Sequence, residues 1–239
     1  MGKRLIKSKE RVQKHGEVFT PQWMVEKMLA EPGIQAKLQD IHATFLEPSA
    51  GEGAFLTEIL RQKLNYVNEV CPPVVRQREK LWLWKRNTLW ALMSIYGIEY
   101  LMDNLQKARQ NMMEVFCENY HRMRKRKLGM RSELYRSARL IVDLNIVLGN
   151  TLTREERRGK PIIFNEWRPD ETDARKVQRV PFRYGALFPD AEELPDEQIA
   201  LFDTVQTFNL FTETQEEPML AYRIVDVLKV YKQEMRAIE

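Results

Sequence analysis

Phe45-Leu46-Glu47-Pro48-Ser49-Ala50-Gly51-Glu52-Gly53-Ala54-Phe55 is the stretch on which the fold turns. An apolar run beginning at Ala43 stops at Pro48, two glycines follow, and Phe55, Leu56, Ile59, Leu60 and Leu64 then recur at helical spacing. That order reads as a buried strand, a glycine loop and a helix. In open α/β sheets, ligands bind beyond the carboxyl ends of the strands. Gly51 and Gly53 let the backbone approach a ligand closely, and the start of a helix offers free N–H groups. A dinucleotide site would want a third glycine at position 56, where Leu56 stands. The bulky side chains after Gly53 disfavour a pyrophosphate and suit a ligand without one, such as S-adenosylmethionine. A plain tight turn uses the same two glycines.

Working outward, Ser94-Ile95-Tyr96-Gly97-Ile98-Glu99 reads as a second strand. A carboxylate at its tip can accept hydrogen bonds from both hydroxyls of a ribose. The usual separation from the glycine loop is ~20 residues. Gly53 and Glu99 are 46 apart, and residues 76–93, with Trp82, Trp84 and Trp90, account for the excess as a helical insertion. Tyr100 is placed to stack on an adenine. A solvated strand-end glutamate is the alternative reading of Glu99. Leu144–Leu148 is a third strand ending at Gly149-Asn150. Pro161–Phe164 is a fourth, ending at Asn165-Glu166-Trp167, and residues 177–184 form a fifth. Helices are expected over 22–30, with Thr20 as cap and Pro21 in the first turn, and over Met102–Met123. Pro218 is expected to open a final amphipathic helix carrying Leu220, Ile224, Val227, Leu228 and Tyr231. Short apolar strands alternating with helices argue for an α/β fold with a mainly parallel sheet and helices on both faces.

The 239 residues carry 38 Lys+Arg against 34 Asp+Glu, a formal net charge of +4. That length supports one domain with additions and a core without metal or disulfide staples. No apolar run approaches the ~18 residues of a membrane helix, so no membrane partner is expected. The charge is uneven: residues 1–183 sum to +12, 184–222 to −9 and 223–239 to +1. A basic body suggests a polyanionic partner, and the acidic stretch an internal competitor that folds over the basic groove. A solvated surface with an acidic loop is the plainer reading. Cys71 and Cys117, and His15, His42 and His121, show neither disulfide nor metal-ligand spacing, so no metal is expected. Met1-Gly2-Lys3-Arg4 lacks the apolar core of a signal peptide, and a reducing cytoplasm is the expected location.

Together these segments resemble the N6-adenine DNA methyltransferases of restriction–modification type, in their gamma-like motif order. His15-Gly16-Glu17-Val18-Phe19-Thr20-Pro21 looks like the family's N-terminal motif, and Phe45–Phe55 like its cofactor motif. Tyr96-Gly97-Ile98-Glu99 looks like the acidic ribose motif, and Ile146-Val147-Leu148-Gly149-Asn150 like the third-strand motif. The resemblance spans roughly residues 15–167. It implies a Rossmann-like S-adenosylmethionine-dependent methyltransferase fold. Phe19, Thr20, Glu47, Ser49, Gly51, Gly53, Glu99, Tyr100 and Asn150 would then line S-adenosylmethionine. DNA would be the substrate, and the exocyclic amino group of adenine the acceptor.

The chain departs from the family at the catalytic motif, which is Asp/Asn-Pro-Pro-Tyr/Phe after the fourth strand. Here the place reads Phe164-Asn165-Glu166-Trp167, without either proline. By resemblance, Asn165 would accept a hydrogen bond from the target amino group and Trp167 would stack on an extruded base. Asn150 stands where an Asp is usual. About 70 residues follow Trp167, too few for the family's specificity region, so selectivity would come from the basic arm, the 122–139 patch, the 76–93 insertion, or a separate specificity or partner subunit. The expected organisation is a basic arm over 1–14, and a methyltransferase-like domain over 15–184 that includes a basic helical segment at 122–139. An acidic linker over 185–217 and a C-terminal helix over 218–239 follow. Two other functions stay open: a cofactor- or DNA-binding subunit acting with a partner, and methylation of RNA or of a protein glutamine.

Overall fold

A computed structural model describes residues 7–15, 20–74, 76–156, 159–188 and 221–236. Phe19, residues 1–6 of the basic arm and the acidic residues 190–217 lie outside the described residues. The centre is a three-stranded parallel sheet of β1 (Phe45–Glu47), β2 (Ile95–Glu99) and β3 (Ile146–Leu148), in the order β1-β2-β3. Phe45 pairs with Ile95, Gly97 with Ile146 and Glu99 with Leu148. Every residue of β2 is buried, as a parallel strand covered on both faces requires.

Helices α4 (Ala54–Val70), α5 (Arg78–Met93), α6 (Met102–Arg124) and α7 (Glu133–Asn145) surround this sheet. α4 packs along α6 and α5 along α7, and all four touch β2. Gly97 permits the approach of α4, because a Cβ there would lie 2.9 Å from Leu56 Cδ1. α4 turns Phe55, Leu56, Ile59, Leu60 and Leu64 inward. A fully buried side chain of this kind contributes ~1.5–3 kcal/mol. Three short helices precede the sheet: α1 (Lys9–His15), α2 (Gln22–Leu29) and α3 (Pro32–Leu38). Pro21 occupies the N-cap position of α2 and no side chain caps it, so Thr20 does not have its expected capping role. Pro32-Gly33 opens α3, since proline is at home in a first turn.

Two buried polar side chains tie the elements together. Lys63 of α4 is fully buried beneath the amino ends of β1 and β2. Its ammonium donates to the carbonyls of Asp40 (2.9 Å) and Ala43 (2.6 Å) and to Ser94 Oγ (2.8 Å). Burial pulls its pKa down to about 7. Asn145 ends α7. Its amide nitrogen lies 3.1–3.3 Å from the carbonyls of Leu92, Met93 and Ile95.

The second half differs from the sequence expectation. β4 (Ile163–Pro169) does not extend the parallel sheet. It pairs antiparallel with β5 (Lys176–Arg183), which pairs in turn with β7 (Val225–Asp226). β6 (Ala221–Tyr222) and β8 (Met235–Arg236) form another antiparallel pair. The expected C-terminal helix is therefore absent over the described residues 221–236, where a 3-10 segment, Val227–Lys232, lies between short strands. Ile224, Val225, Val227 and Val230 are β-branched and favour extended backbone, and the Asp226 carboxylate accepts from Leu228 N–H to start the 3-10 turn. The basic segment 122–139 is not one helix either. α6 ends at Arg124 with Lys125 left-handed (φ 53°), and α7 begins after Ser132, whose hydroxyl accepts from Tyr135 N–H. Among the described residues, no helix is long and apolar enough to cross a membrane.

Candidate functional site

The glycine loop leaves β1 at the carboxyl edge of the parallel sheet and meets the end of β2 there. Gly51 (φ 54°) and Gly53 (φ 85°) both take left-handed backbone that other residues rarely adopt. A Cβ on Gly53 would lie 3.1 Å from Ala108 Cβ, so the loop also needs a glycine to rest against α6. Asn111 Nδ2 donates to the Glu52 carbonyl at 2.9 Å and fixes the loop from the same helix.

Glu99 holds the loop from the other side. Its Oε2 accepts from Gly51 N–H at 2.7 Å and its Oε1 from Leu101 N–H at 2.8 Å, with Asn104 Nδ2 at 3.4 Å. Glu47, at the end of the neighbouring strand, is 5% exposed and accepts from Ser49 N–H at 3.0 Å. Burial pushes its carboxyl up to about 7, and the nearby Glu99 adds to the shift while the Ser49 N–H opposes it.

The rim is acidic, and basic residues of the arm cover part of it. Lys7 Nζ lies 2.9 Å from Glu52 Oε1 and 3.2 Å from Asp103 Oδ2. Arg11 donates to both Asp103 oxygens, at 2.9 and 3.2 Å. This contact, with Lys7 beside it, brings the Asp103 carboxyl down to about 2. Reading by motif missed Glu52, Asp103, Asn104, Lys7 and Arg11. The available signal was Asp103-Asn104 in the first turn of the helix that follows Glu99, one turn from the strand tip.

The structure thus brings Glu47, Ser49, Gly51, Gly53 and Glu99 together. Tyr100 stands beside them, 54% exposed. Thr20 lies half-buried just before α2. Asn150 does not offer a free acceptor: its Oδ1 takes the N–H groups of Leu152 (2.9 Å) and Thr153 (3.4 Å) and shapes its own turn. The Thr151 hydroxyl ties that turn to the Pro48 carbonyl, next to the glycine loop.

Asn165 and Trp167 sit within β4 rather than at a strand end, each about one-twentieth exposed. Trp167 Nε1 donates to Asn145 Oδ1 at 3.0 Å, which commits the indole to the core. The Asn165 carbonyl accepts from the Tyr96 hydroxyl at 2.9 Å, and Phe164 meets the Tyr96 ring edge-on at 5.3 Å. A base has no exposed indole face to stack on in this arrangement. Surface depressions of about 250 and 210 Å³ lie elsewhere, on the sides of α4. Among the described residues, no group of three or more His, Cys, Asp or Glu is placed to hold a metal ion. Comparison with protein-family models, curated proteins and solved structures finds no match to the chain.

Proposed function

We propose that the protein is an S-adenosylmethionine-dependent chain of the DNA adenine-amino methyltransferase type, with a Rossmann-like fold and its cofactor seated across the glycine loop. The observation that carries this reading is the clasp of Glu99 on Gly51 N–H at 2.7 Å, which faces a strand-end carboxylate onto a glycine loop at the edge of a parallel sheet. The donor set fits the cofactor. Glu47, Glu52, Glu99 and Asp103 bring four carboxyls to the site, two of them paired with Lys7 and Arg11, and a carboxylate-rich site favours a sulfonium and an ammonium over a pyrophosphate. When bound, the cofactor supplies a methyl group on positively charged sulfur, and the protein's task is alignment. In this reading Glu99 would be the acceptor for the ribose hydroxyls.

Two readings of the catalytic half follow. In the first, this chain transfers the methyl itself through Asn165. In the second it binds cofactor and DNA while a partner supplies the catalytic residues. The buried, hydrogen-bonded Trp167 favours the second. Calorimetry with S-adenosylmethionine tests the common part, and absence of binding refutes both. Labelled-methyl transfer to DNA lacking adenine methylation separates them. Transfer by the chain alone, abolished by Asn165→Ala, selects the first. Binding without transfer selects the second.

A further inference from the structure

α6 links the candidate site to a very different surface. Its first turn carries Asp103 at the rim of the glycine loop, and its 23 residues end at Arg124. At ~1.5 Å per residue, the end of α6 lies roughly 33 Å from the loop. There the chain concentrates charge: residues 122–127 contain five cations and no acid. Lys125, Lys127 and Arg131 are exposed, and their side chains have no hydrogen-bond or ion-pair partner among the described residues. Arg124 has Nε and Nη1 shielded from solvent with no acceptor. The 3-10 segment Val227–Lys232 adds two more cations to the same surface. Lys229 lies 4.0 Å from Glu133 at the start of α7, and Tyr231 sits under Arg136 with Lys232 beside it.

Like charges this close repel one another; Glu133 offsets Lys229, while Lys125, Lys127 and Arg131 have no ion-pair partner among the described residues. An anionic partner offsets these charges and supplies acceptors to the exposed Lys125, Lys127 and Arg131. A protein partner would need an apolar centre. Of this surface, the exposed large apolar side chain among the described residues is Met130. Phosphates held by cations need no such centre. We propose that the end of α6, the 125–131 loop and the 227–232 segment form a docking surface for the phosphate backbone of double-stranded nucleic acid, separate from the glycine-loop mouth. Recognition here is by charge, and it carries no sequence information. At ~3.4 Å per base-pair step, phosphates held here lie about ten steps from any base presented at the mouth. That last relation rests on the proposed function; the docking itself does not.

The test is the binding of a labelled mixed-sequence DNA duplex of about 20 base pairs, without cofactor, at about 50 to 200 mM salt. The variant Lys125→Asn/Lys127→Ala/Arg131→Ala removes three exposed charges, and asparagine tolerates the left-handed backbone of position 125. Three phosphate contacts at a slope of ~0.9 each account for about a 40-fold fall in wild-type affinity over that fourfold salt range. The variant should lack that part of the salt dependence and bind about tenfold or more weaker at low salt, with an unchanged circular dichroism spectrum. Lys27→Ala/Lys37→Ala/Lys80→Ala, which removes three exposed cations elsewhere, should bind as wild type. Three results would overturn the proposal: a folded triple variant with wild-type affinity and salt slope, an equal loss in the control variant, or polyglutamate competing as well as DNA at equal charge. The readout needs no turnover, so it succeeds or fails independently of methyl transfer.

Discussion

Replacing Glu47 by Gln removes a carboxyl that burial and Glu99 hold at a pKa of about 7, against 4.5 ordinarily. Below about pH 4.5 the group is protonated in both folded and unfolded chains, and its contribution to stability is fully present. As pH rises towards 7 the unfolded chain gives up the proton while the folded one keeps it, and that contribution is lost. Glutamine retains the acceptor for Ser49 N–H and carries no charge at any pH. A shift of that size corresponds to about 3 kcal/mol when fully expressed. Glu47→Gln should therefore be more stable than wild type by under ~1 kcal/mol at about pH 5 and by about 3 kcal/mol at about pH 8. Urea denaturation at the two pH values measures it. A difference that stays flat with pH, or a variant less stable at the higher pH, would refute the buried-carboxyl argument.

Gly53→Ala should cost ~1–2 kcal/mol in thermal denaturation from its left-handed backbone alone, with more from the contact against Ala108, and should weaken cofactor binding. Trp167→Phe leaves Asn145 Oδ1 buried without its donor, a loss of ~1–3 kcal/mol. If the indole instead serves an extruded base, stability will hold and DNA binding will fall. Lys7→Ala with Arg11→Ala should change global stability by under ~1 kcal/mol, because the pairs are partly exposed. It should nevertheless speed hydrogen exchange over α1, and added salt should do the same to wild type.

The parallel half of the fold is written locally. Apolar runs ending at Glu47, Glu99 and Leu148, each followed by a turn and preceded or followed by an amphipathic helix, are visible in the chain. All three strands and α4 to α6 lie close to where those patterns put them, whereas α7 begins at Glu133 inside the segment expected to be helical from 122. The place of β4 is not local information. Ile163 and Phe164 read as a strand in either sheet, and its antiparallel neighbour was decided by pairing with Lys176–Arg183 and by Trp167 reaching Asn145. The C-terminal segment misled for a related reason. Its apolar spacing fits a helix, while its β-branched residues and Asp226 fit short strands and a tight turn, and contacts with α7 settle the choice. At the candidate site, Gly51, Gly53 and Glu99 were legible because each has a fixed relation to a strand end. Lys7 and Arg11 were not, because their acidic partners lie more than 90 residues away for Asp103.

Lys63 and Glu47 occupy opposite ends of the same short strands. One ammonium is buried below the amino ends of β1 and β2, and the Glu47 carboxyl is buried at the carboxyl end of β1 beside Glu99. The parallel sheet is thus electrically polarised along its strands, and both of its terminal groups titrate at about 7. As pH rises through that value the lower end loses positive charge while the upper end gains negative charge. The interior potential then becomes more negative at both poles, and a cation arriving at the carboxyl edge experiences a stronger pull once Glu47 has lost its proton than before.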